Sequence, residues 1–142
     1  MTPVTPVTDV THGVMYLDSS AIVKLVFEEE ETAALRTFLA RFTHRASSVL
    51  SRIEVFRTAA RVGDPLVTRD AVETLDRIHL IWPDVRLLGH AMTMAPPVLR
   101  ALDAIHLATA LSLQPDLAGM VVYDRALAEA AQAVGLTVFA PS

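Results

Sequence analysis

GVMYLDSSAIVKL, residues 13–25, sets a four-residue apolar run directly before an acid, two hydroxyls and the chain's only lysine. Val14 to Leu17 reads as a short β-strand and Ser20 to about Phe27 as the helix that follows, so Asp18 falls on the turn between them. The alternation continues outward. Helical patterns cover Glu30–Phe42, a segment running to Arg61, Thr68–Ile81 (apolar at Ala71, Val72, Leu75, Ile78 and Ile81), Val98–Leu113 and Arg125–Val134. Runs at Arg45–Val49, Val85–Leu88, Ala118–Tyr123 and Leu136–Phe139 read as strands. Gly63-Asp64-Pro65 breaks one helix, Pro96-Pro97 introduces another and Gly135 ends the last. Strands alternating with helices predict one α/β domain over residues 14–142. Residues 1–13, where Thr2-Pro3-Val4 is nearly repeated at Thr5-Pro6-Val7, lack periodicity and read as a flexible tail.

A chain of 142 residues is long enough for a real core. With 52% hydrophobic residues, much surface must be buried, part of it against a partner. No apolar run approaches the ~20 residues of a membrane span. The N-terminus lacks the basic-then-apolar pattern of a signal peptide. The absence of cysteine rules out disulfides and thiolate metal sites, so a cytoplasmic protein is expected. A net charge of −4 excludes a module that grips nucleic acid by bulk electrostatics; metal ions or local arginines would have to offset the repulsion.

Ligands of an open α/β sheet gather beyond the carboxyl ends of its strands. Asp18 follows the first strand and Asp124 the fourth, and Glu54 lies near the start of the helix after the second. Asp103 lies in VLRALDAIHLATAL, apolar nearly all round, where an ionised carboxylate is costly unless a cation or hydrogen bonds compensate it. Each acid also has a structural explanation. Asp18 and Asp124 suit helix N-caps, Ser51-Arg52-Ile53-Glu54 fits a capping box, and Asp103 can pair with Arg100 one turn earlier. Taken together these explanations weaken: Asp103 is placed mid-helix, where no cap exists, and the other three converge on one edge. Four crowded carboxylates repel one another, an arrangement that makes sense chiefly when divalent cations neutralise it. Oxygen-only ligands favour Mg²⁺ or Mn²⁺ over zinc.

Among their neighbours, Ser20 either bonds a carboxylate or caps the helix. Lys24, Arg100 and Arg125 are candidate phosphate contacts, set against solvation for Lys24 and local ion pairs for the arginines. His106, three residues after Asp103, is tempting as a base, although a hydrogen-bonded core histidine is the simpler reading. Glu28–Glu31 reads as a solvated helix end or linker.

Leu17-Asp18-Ser19-Ser20-Ala21, Arg52-Ile53-Glu54, Leu102-Asp103-Ala104-Ile105-His106-Leu107-Ala108-Thr109-Ala110 and Tyr123-Asp124-Arg125-Ala126-Leu127 resemble, in order and spacing, the motifs of PIN-domain ribonucleases, most closely VapC toxins. The resemblance implies a three-layer fold, a mostly parallel five-stranded sheet flanked by helices. It implies a metal pocket of Asp18, Glu54, Asp103 and Asp124, with Asp18 and Asp103 as the best direct ligands. It further implies Mg²⁺- or Mn²⁺-dependent endonucleolytic cleavage of structured RNA such as tRNA or rRNA. The expected partners are a VapB-like antitoxin and a second copy in a homodimer, with a heterotetramer or larger assembly once the antitoxin binds. One position departs from the pattern: Val122 stands where members often carry Thr or Ser, two residues before the fourth acid. Haloacid-dehalogenase-like phosphotransferases and receiver domains fail on inventory, since the former need a second aspartate where Ser20 stands and both need a downstream lysine. The competing reading is a PIN-like binding protein without catalysis.

Overall fold

Residues 12–142, the part described by the computed structural model of the chain, form five strands and seven helices. Most of the expected tail, residues 1–11, lies outside the described residues. In chain order the elements are β1 (Val14–Leu17), α1 (Ser19–Val26), α2 (Thr32–Leu39), β2 (His44–Ser48), α3 (Leu50–Val62), α4 (Pro65–Asp76), β3 (His79–Ile81), α5 (Val85–Met92), α6 (Ala101–Leu111), β4 (Leu117–Val121), α7 (Arg125–Ala133) and β5 (Val138–Phe139).

All strand pairings are parallel, in the order β3-β2-β1-β4-β5. The chain starts at the centre, builds β2 and β3 to one side, then crosses over to place β4 and β5 on the other. The order therefore reverses between β1 and β4, the point at which such sheets open a crevice beyond their carboxyl ends.

The period-two alternation of β1 divides the core. Met15 and Leu17 face the layer of α1 to α4, packing with Ile22, Leu35, Val55 and Leu75. Tyr16 faces the layer of α5 to α7, with Leu87, Leu107, Leu127 and Met120. Both faces of the sheet are covered, as an all-parallel sheet requires.

Local chemistry fixes several boundaries. Gly63 adopts the left-handed conformation (φ 74°) that closes α3, Asp64 accepts from Leu66 N at 2.9 Å to cap α4, and Pro65 occupies the first turn. Two expectations are corrected. The segment Thr68–Ile81 is not one helix: α4 ends at Asp76, and His79–Ile81 is β3. Ile78 and Ile81 keep helical spacing with Leu75, but they belong to the chain that enters and forms the sheet edge. Val85–Leu88 is not a strand but the start of α5, because the Asp84 carboxylate accepts from Leu87 N at 2.8 Å and nucleates a helix there.

Candidate active site

Asp18 is both a cap and a buried acid. It ends the β1–α1 turn with extended backbone, and its Oδ1 accepts from Ala21 N at 3.1 Å and from Ser20 Oγ at 2.7 Å. Only 4% of the residue is exposed. Burial pushes its pKa up to about 6, opposed by the hydrogen bonds of Ser20 and Ala21 and reinforced by the charge of Asp103.

Glu54 lies on the second turn of α3. The expected capping box does not form: α3 starts at Leu50, Ser51 is buried, and its hydroxyl meets those of Ser47 (2.7 Å) and Ser19 (3.1 Å). The Glu54 Oε1 instead accepts from Ser19 Oγ at 2.6 Å and pairs with His106 Nε2 at 3.0 Å. Burial alone would raise its pKa, but the hydrogen bonds from His106 and Ser19 outweigh burial and hold it below the usual glutamate value.

Asp103 is where the expectation needs most correction. Helix α6 begins at Ala101 rather than near Val98, because Arg100 is still extended, so Asp103 lies in the first turn and is only partly buried. An acid there is favoured by the helix dipole. Its proximity to the other acids survives: burial raises its pKa, the charges of Asp124 and Glu54 raise it further, and His106 and Arg100 pull it down. No direct ion pair links Arg100 to Asp103 among the described residues. Asp124 is exposed and caps α7, its Oδ2 accepting from Leu127 N at 2.9 Å.

These four acids line one cleft of about 140 Å³, together with Ser19, Ser20, Arg100 and His106. A pattern runs through their hydrogen bonds. Asp18, Glu54 and Asp124 are each anchored through one carboxylate oxygen, and no protein hydrogen bond among the described residues reaches the other. No buried side-chain polar atom among those residues lacks a partner, so the second oxygens reach solvent. Among the described residues no three His, Asp or Glu side chains stand close enough to share an ion as they are placed. The donor chemistry nonetheless fits a hard cation: all four acids offer carboxylate oxygens, charges among them act on one another, and Mg²⁺ is usually held by one or two carboxylates plus water.

The remaining candidates separate. Ser20 lines the cleft and orients Asp18, while its oxygen accepts from Tyr123 N at 3.4 Å. Lys24 does not line it; its ammonium is clamped by Glu29 (2.7 Å) and Glu31 (3.0 Å) and stands 4.8 Å from the Tyr123 ring centre. Arg125 also lies outside, paired with Glu129 at 3.0 Å on the surface of α7. Val122 is fully packed in the core, and its backbone N–H donates to Phe139 O at 3.0 Å. Sequence reasoning missed Tyr16, Ser19 and Ser51. Ser19 was signalled by standing beside Asp18 at the carboxyl end of β1; Ser51 was read only as the first residue of a capping box, and Tyr16 carried no local signal.

A family model described as PIN domain matches residues 15–139. Ribonuclease VapC46 of Mycobacterium tuberculosis is 43% identical over 128 residues, spanning 90% of this chain and 98% of its own length. Ribonuclease VapC47 of the same species is 37% identical over 131 residues, with 89% and 96% covered. Ribonuclease VapC35 is 39% identical over 135 residues, again with 89% and 96% covered. Fold, acid placement and relatives along nearly the whole length agree: the chain belongs to the PIN-domain family, in its VapC branch.

Proposed function

We propose that the protein is a metal-dependent endoribonuclease toxin that hydrolyses a phosphodiester bond in structured cellular RNA, tRNA or rRNA. The observation that carries this reading is the set of carboxylates at the β1/β4 crevice, three of them anchored through one oxygen with the other free. Asp18 and Asp103 would hold Mg²⁺ or Mn²⁺, with Glu54 and Asp124 completing the site directly or through water. Such an ion supplies charge against the scissile phosphate and acidifies a water for attack. Ser20 and Ala21 N–H hold Asp18 in place, and Ser19 and His106 do the same for Glu54. Arg100, the arginine of the cleft, is suited to a phosphate oxygen on the substrate strand.

The partners proposed are a VapB-like antitoxin, which would cover the acidic cleft with a basic side chain in place of metal charge, and a second copy of the chain. Supporting the second copy, Trp82, Val85, Leu88 and Met92 recur at three- and four-residue spacing and are all exposed. With no cysteine in the chain, a reducing cytoplasm is the compartment this reading implies. Among the described residues no helix is long and apolar enough to cross a membrane.

Inducible expression with mapping of RNA 5′ ends tests the proposal. Wild type should arrest growth and create discrete new ends, and Asp18→Asn and Asp103→Asn should abolish both. Folded variants that remain equally toxic would replace catalysis with a binding role.

A further inference from the structure

We infer that His106 is a positioning residue: it presents the Glu54 carboxylate to the cleft, and Tyr16 fixes which ring nitrogen faces that carboxylate. The inference rests on the nuclease reading above for its purpose but on separate contacts for its geometry. His106 is 2% exposed, on the inner face of α6, and bonds at both ring nitrogens. Nδ1 meets the Tyr16 hydroxyl at 2.7 Å; Nε2 meets Glu54 Oε1 at 3.0 Å and Ser19 Oγ at 3.1 Å. The chain of contacts thus links β1, which leads into Asp18, with α6 and α3, which carry Asp103 and Glu54.

The hydrogens have few places to go. An ionised carboxylate can only accept, so the hydrogen between His106 and Glu54 is on Nε2. Ser19 spends its own hydrogen on Glu54. The Tyr16 phenol carries an O–H at neutral pH, and at 2.7 Å it is placed to donate to Nδ1. With Nδ1 accepting from Tyr16, the ring presents N–H toward Glu54. The Tyr16 ring also meets the imidazole edge-on, centroids 5.9 Å apart at 71°, which hinders a flip. Both donors fall on Oε1, which leaves Oε2 free to face the cleft.

Two substitutions separate positioning from mere packing. Glutamine places its amide nitrogen near the position of Nε2, whereas asparagine reaches only the position of Nδ1. Both remove the ring. In the full chain, His106→Asn should weaken Mn²⁺ binding about tenfold, the scale of losses seen when a partner behind a ligand is removed. His106→Gln should recover most of that loss. In the metal-free protein, imidazole ¹⁵N NMR should show the hydrogen on Nε2, with that signal moving in Glu54→Gln and a second tautomer appearing in Tyr16→Phe. Equal Mn²⁺ affinities for the two His106 variants, or a hydrogen on Nδ1 facing Tyr16 with Nε2 bare, would overturn the inference. Failure of the nuclease reading looks different: Asp18→Asn then leaves Mn²⁺ binding unchanged, while the ¹⁵N spectrum still decides the hydrogen-bond arrangement.

Discussion

A carboxyl group with almost no exposed surface is easier to keep protonated than ionised, and Asp18 carries that cost at neutral pH. Its folded-state pKa of about 6 lies above the unfolded value of about 3.9. The native state therefore holds the proton more tightly. This group's stabilising contribution is complete below about pH 4 and is lost as pH rises through 6, a swing on the order of 2–3 kcal/mol. Asparagine keeps the acceptor that Ser20 and Ala21 use and removes the charge. Asp18→Asn should therefore raise the melting temperature by several degrees at pH 8 in EDTA, and the gain should vanish toward pH 4. A variant no more stable than wild type at pH 8 would mean that the burial cost is already relieved within the cleft. Lys24 is a second residue whose contacts reassign it. Held by Glu29 and Glu31 against Tyr123, it ties α1 to the following loop rather than reaching for substrate. Lys24→Gln should lower thermal stability slightly, by less in high salt, and leave KM for RNA within twofold. A KM several times higher at unchanged stability would restore the phosphate contact.

At the scale of elements, Gly119 shows how closely β4 and β5 approach. A Cβ there would stand 2.5 Å from the Phe139 ring and 3.0 Å from the Thr137 carbonyl oxygen. The ring cannot simply swing away, since it packs on Phe38 with centroids 4.9 Å apart. Gly119→Ala should cost about 1–3 kcal/mol in chemical denaturation, with the spectrum of the folded state retained. Three boundaries set by capping chemistry were legible in the sequence: Asp18 starts α1, Gly63-Asp64-Pro65 separates α3 from α4, and Gly135 follows α7; the Asp84 cap of α5 was not. The stretch from Ile78 to Leu88 was not, because β3 has three residues and its apolar positions continue the spacing of α4, while Leu87 and Leu88 look alike in a strand or a helix. The four acids were legible because three follow strands and one interrupts an apolar helix. The mid-helix argument for Asp103 nevertheless failed, since its helix starts three residues later than expected. The contacts of His106 with Tyr16 and Glu54 span 90 and 52 residues of sequence, so packing alone brings them together.

Over the whole molecule, the strand order concentrates the acids at the crevice between β1 and β4, and one part of the apolar surface left exposed lies on α5. On α5, Val85, Leu88 and Met92 form one exposed stripe that Trp82 extends toward β3. Val85 and Met92 keep more than four-fifths of their surface in solvent, so neither contributes much to the fold of one copy. Their replacement by charge should therefore be nearly neutral for a monomer, within about 0.5 kcal/mol. The same replacement is severe for an interface between identical faces, because a two-fold axis brings each new charge near its own copy and leaves it desolvated. Val85→Glu combined with Met92→Glu should shift the protein from dimer to monomer in light scattering while its far-UV spectrum stays native. A double variant that remains dimeric would move the interface away from α5. A wild type already monomeric at high concentration would assign the stripe to a different partner.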